Sequence, residues 1–91
     1  MLYSKNKFVI GKALLLMEQT RANPKKYASS KETLLVRVTA ILEIALPEFD
    51  IHYFYTKHLV TQGFLYLDMF DDYEEDWAYK VIDDAIQILN D

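Results

Sequence analysis

Residues 71–91 read DDYEEDWAYKVIDDAIQILND, and this stretch decides the fold class. Tyr73, Trp77, Val81, Ala85, Ile88 and Leu89 recur at three- and four-residue intervals, with Ile82 beside them. That is the period of an amphipathic helix, whose apolar stripe must be buried against a core. Asp71 or Asp72 stands where an N-cap is needed, and Asp72-x-x-Glu75 has the form of a capping box. Acids crowd the first turn, where they complement the positive end of the helix dipole. Asp76 with Lys80, and Lys80 with Asp84, are four apart, so each pair contributes a few tenths of a kcal/mol on the helix surface.

The chain upstream follows the same rule. Leu34, Leu35, Val38, Ile41, Leu42 and Ala45 form a second stripe, which runs to about Leu46. Ser29-x-x-Glu32 is a capping-box candidate ahead of it, with Ser30 the rival cap. Val36, Val38 and Thr39 also favour strand, but length and cap decide for helix. Pro47 breaks this helix or opens the next at its first position. A first helix is expected from near Ser4, with Ser4 as N-cap. Val9, Ile10, Ala13, Leu14, Leu16 and Met17 make its face, and Leu15 widens it, implying burial on more than one side. Gly11 costs about 1 kcal/mol there against Ala, which close helix–helix contact would explain. Pro24 forces Asn23 out of the helical region, and residues 24–29 read as a polar, basic loop. Residues 48–62 are ambiguous. Phe49, Tyr53, Leu59 and Val60 fit a helix, while residues 51–56 are good strand material. Gly63 would end a helix or join two strands, and residues 64–70 read as a short helix. The expectation is a single all-α domain over 1–91, a small bundle of four or five helices. A short hairpin is the alternative within 48–70.

Composition agrees. Ninety-one residues make one domain that buries roughly 60–65% of its unfolded surface. Two Gly and two Pro are too few for the turns of an all-β fold. The absence of cysteine excludes a disulfide framework and thiolate chemistry. Gly11, Lys12 and Glu18 interrupt or bound the apolar run at 8–17, and no small-residue cleavage site follows, so it reads as a helix rather than a signal peptide. No stretch approaches the roughly 20 apolar residues of a membrane span. The expected setting is the cytoplasm, away from membranes.

Charge divides the chain. Residues 1–40 hold eight Lys/Arg and two acids, a net of +6; residues 41–91 hold two Lys and twelve acids, a net of −10. The aromatics follow the acids: ten of thirteen lie between Phe49 and Tyr79. Tyr53, Phe54 and Tyr55 are consecutive and cannot all face inward from one regular element, so at least one must lie at the surface. Tyr and Trp anchor interfaces, and a concentrated negative field steers cationic partners.

Motifs of catalysis are missing. His52 and His58, six apart, would diverge by about 120° on a helix and could not share a metal; both read as ordinary half-buried or surface histidines. The acidic run from Asp68 to Asp76 lacks the central Gly and alternating ligands of a calcium loop. Gly11 and Gly63 cannot form a phosphate loop, and no elbow motif surrounds Ser4, Ser29 or Ser30. No catalytic residue, metal or cofactor is therefore expected, and no enzyme. Only Lys25 and Lys26 cluster tightly in the basic half, so nucleic acid is a minor reading.

The leading expectation is a small acidic inhibitor that occludes the cationic cleft of a basic protein such as a toxin or nuclease domain. Negative charge would speed its association and aromatic anchors would slow its release. Candidate contacts are Asp68, Asp71, Asp72, Glu74, Glu75 and Asp76, with Tyr53, Tyr55, Tyr66 and Tyr73 as anchors. In size, acidity and lack of a catalytic motif the chain resembles bacterial immunity proteins, which neutralise a cognate toxin. The resemblance rests on these general properties and transfers no residue. Two alternatives stand beside it: a helical adaptor or structural subunit whose charged halves dock on each other in a homo-oligomer, and a regulator that binds nucleic acid through the basic half.

Overall fold

The computed structural model describes residues 6–61 and 75–91. Five helices stand among them: α1 (Lys7–Ala22), α2 (Pro24–Tyr27), α3 (Lys31–Ala45), α4 (Ile51–Thr61) and α5 (Glu75–Asn90). There is no strand among the described residues, so the chain is a small all-α bundle. Residues 51–61, open to either reading on composition, are helical throughout. The expectations for Gly63, for residues 64–70 and for the caps at Asp71 or Asp72 lie outside the described residues.

Local chemistry sets each boundary. Asn6, not Ser4, caps α1: its side-chain oxygen accepts the Phe8 and Val9 N–H groups at 3.0 and 3.3 Å. These are donors that the first turn leaves without partners. Pro24 ends α1 and, with its fixed φ and missing N–H, opens the one-turn helix α2 where a loop was expected. Ser30 is the cap of α3. Its hydroxyl accepts the Thr33 N–H, and Thr33 Oγ1 accepts the Ser30 N–H, so the box closes on Thr33 rather than on Glu32. Pro47 lies in the turn after α3. Asp50 then opens α4, its carboxylate accepting the Tyr53 N–H at 2.9 Å.

The core lies where α1, α3 and α5 meet, with α4 packed on α3. Met17 from α1, Leu34, Leu35, Val38 and Leu42 from α3, and Val81, Ile82 and Ala85 from α5 are fully buried. Each large aliphatic side chain contributes about 1.5–3 kcal/mol through burial. Trp77, at 6% exposed, sits in the same cluster. Two readings of α1 need correction. Leu15 is more than half exposed, because α1 packs on one side only. Gly11 has nothing within 4 Å of where a Cβ would stand, so no close helix contact explains it.

α4 only partly follows the face its apolar residues suggested. Phe54, His58 and Leu59 are buried, while Tyr53 and Val60 face solvent. The buried face follows positions 51, 54, 55 and 58, a helical row that admits a histidine.

Candidate partner-binding site

Part of the aromatic half gathers where α4 meets α5. A groove of about 240 Å³ is lined by Phe49, Tyr53, Phe54 and Lys57 on one side and Asp84, Gln87 and Ile88 on the other. Phe49 and Phe54 meet edge to face, with centroids 6.4 Å apart. Tyr53 stands at the mouth with 65% of its surface exposed. Its position follows from α4's geometry: with Phe54 fixed inward, the preceding residue is turned about 100° outward.

Tyr55 is half-buried against the core. Burial pushes its hydroxyl pKa above the ordinary value, and the nearby Glu32 charge adds to that. Asp76 is exposed at the N-terminal end of α5. It shares a stripe with Lys80, Asp84 and Gln87, spaced four, four and three residues. Gln87, which lines the groove with Tyr53, is eleven residues and about 16 Å beyond Asp76 along the α5 axis. The structure therefore sets Asp76 and Tyr53 along one side of the molecule, not in one cluster. Glu75 begins α5. Asp68, Asp71, Asp72, Glu74, Tyr66 and Tyr73 lie outside the described residues.

His58 lies deep in this region, 3% exposed, a burial the sequence did not announce. Its ring packs edge-on against Phe54 at 4.7 Å. Nε2 is 3.3 Å from Asp84 Oδ2 without hydrogen-bond geometry. Burial lowers its pKa from the ordinary 6.5; Asp84 opposes that shift, and Lys57 and Lys80 add to it. His58 lies one helical turn from Phe54, on the row that α4 turns inward.

The cations of the basic half are partly engaged inside the molecule. Arg21 grips Asp83 with Nε–Oδ1 at 2.6 Å and Nη2–Oδ2 at 3.2 Å, and its guanidinium lies 4.9 Å from the centre of the Tyr79 ring. Arg37 donates to buried Thr20 at 2.8 Å and stacks over Tyr27 at 4.5 Å. Lys31 sits 5.4 Å over Trp77; in the acidic half, Lys80 lies 3.6 Å from Asp84. These contacts tie α1, α2, α3 and α5 together and leave Arg21 and Arg37 poorly placed to grip phosphates. No group of three metal-ligating side chains converges among the described residues. No helix among them is long and apolar enough to cross a membrane. Comparison with protein-family models, with curated proteins and with solved structures finds no match for this chain.

Proposed function

We propose that the protein is a non-catalytic, acidic binding module of the immunity type, which blocks a basic partner such as a toxin or nuclease domain in the cytoplasm. The observation that supports it most is Tyr53: a large ring held out from a rigid helix, over an aromatic groove, on the side where α5 carries Asp76. Rigid aromatic residues give contact area at low entropic cost, and they are enriched among residues that dominate binding energy. The net of −10 over residues 41–91 supplies the long-range attraction for a cationic cleft. Asp83 and Asp84 are partnered within the fold, so among the described acids of α5 the steering charge falls to Asp76, which follows a run of acids in the sequence.

Affinity capture at low and high salt, followed by reconstitution with the captured protein, tests this reading. The expected partner is basic, is retained better at low salt, and loses its own activity when bound. A captured protein that is neutral or acidic, or whose activity is untouched, overturns it.

A further inference from the structure

A second surface lies on another side of the molecule. Phe8, 90% exposed, and Leu15 project from α1; Val36 and Ile44, the latter 66% exposed, project from α3. Val36, Ala40 and Ile44 repeat every four residues, and all three are exposed. A groove of about 270 Å³ runs between the helices, with Val9, Leu16 and Ile41 in its walls and Lys12 and Ile44 at its edges. α5 packs on α1 and α3 from the core side, so α1 and α3 form an outer layer with an uncovered apolar face. Single exposed apolar residues need no explanation, but a continuous face does.

Beside the groove the two helices differ in charge: Lys12 stands on α1 and Glu43 on α3. Both are exposed, and neither forms an ion pair among the described residues. The register of the two helices is also defined. Arg37 bonds Thr20, and Ile44 shares the groove with Lys12, so the helices are antiparallel with Lys12 level with Ile44.

We infer that this face binds a second copy of the chain across a two-fold axis parallel to α1 and α3. Rotation about that axis keeps each residue at its level along the helices and exchanges the two edges. α1 of each copy then lies over α3 of the other, making a four-helix layer. Lys12 meets Glu43 of the second copy, and symmetry makes the same pair again. Leu15 covers the groove beside Ile44 of the second copy, removing both from water. An axis perpendicular to the helices would instead stack α1 on α1 and α3 on α3, so Lys12 and Glu43 of the two copies would not pair. Charge therefore selects the parallel axis as well as the occupant, because the face is complementary to itself in that orientation.

Sedimentation velocity on the full chain, across concentration, tests this. The unaltered protein is expected to dimerise at micromolar concentration. Ile44→Glu should raise the dissociation constant about a hundredfold, because both copies lose the contact. Lys12→Glu should raise it about tenfold, since two like-charge pairs replace two opposite ones. Adding Glu43→Lys to Lys12→Glu should restore it. All these side chains are exposed, and circular dichroism verifies that the variants keep their helices. A monomer at millimolar concentration, a dimer indifferent to Ile44→Glu, or a charge swap that fails to restore association overturns the inference. Neither Tyr53 nor Asp76 is altered, so this result is independent of the proposed partner site.

Discussion

Among the described residues, His58 is the side chain whose surroundings bear most directly on stability near neutral pH. It is held among Phe54, Asp84 and two lysines, where burial favours the neutral ring more than Asp84 favours the charged one. Its folded pKa lies below 6.5, so below that pH the unfolded chain takes up a proton that the folded chain resists. Stability from this residue is complete above about pH 6.5 and is lost as the pH falls from there towards the folded value. Urea unfolding measured between about pH 7.5 and 5.5 should show a falling midpoint, and His58→Gln should flatten that fall. An equal slope in both proteins would remove His58 from the account. Trp77 gives a simpler test. With its ring in the core, Trp77→Ala should cost about 3–5 kcal/mol in denaturant unfolding; a near-neutral result would contradict its placement. The two residues differ in how they could be read. Trp77 sits in an unbroken apolar stripe that only a buried face explains. Histidine suits core and surface alike, so only the packing of α4 on α3 could place His58.

At the scale of the helix, the open position of Gly11 has a direct consequence. It lies inside α1, and an added methyl group meets nothing within 4 Å. Gly11→Ala should therefore stabilise the protein by about 1 kcal/mol, through helix propensity and reduced freedom of the unfolded chain. Loss of stability in that variant would mean that another surface occupies the space. The stripes of α1, α3 and α5 were legible because apolar residues recur there with helical period and prolines punctuate them. The ends were less so. Asn6 and Ser4 are both good caps, and Thr33 closes the box at Ser30 as well as Glu32 could; the choice depends on which donor each oxygen reaches. α2 escaped notice because four residues are too few to show periodicity. In α4, aromatic and β-branched residues obscure the helix, and the inward row is decided by the neighbouring helix rather than by hydrophobicity alone.

Over the whole molecule, the charge division of the sequence is partly folded back on itself. Arg21 bridges to Asp83, joining the basic and acidic halves within one bundle. Among the described residues two separate surfaces stand out: the exposed α1–α3 face with Lys12 and Glu43, and the Tyr53 groove with the stripe that leads to Asp76. The aromatic character of the second surface was readable from composition; that Asp76 and Asp84 share it with Lys57 and Lys80 was not. The separation of Tyr53 from Asp76 was not, because it depends on the antiparallel approach of α4 and α5. The account assigns these two residues different parts in binding: Asp76 attracts and Tyr53 holds. The most direct test is the association rate with the captured basic partner, measured against ionic strength for the unaltered protein and for Asp76→Lys and Tyr53→Ala. The account predicts a rate that falls with salt, a slower and less salt-sensitive rate for Asp76→Lys, and faster dissociation at an unchanged association rate for Tyr53→Ala. A rate indifferent to both salt and Asp76→Lys would contradict it.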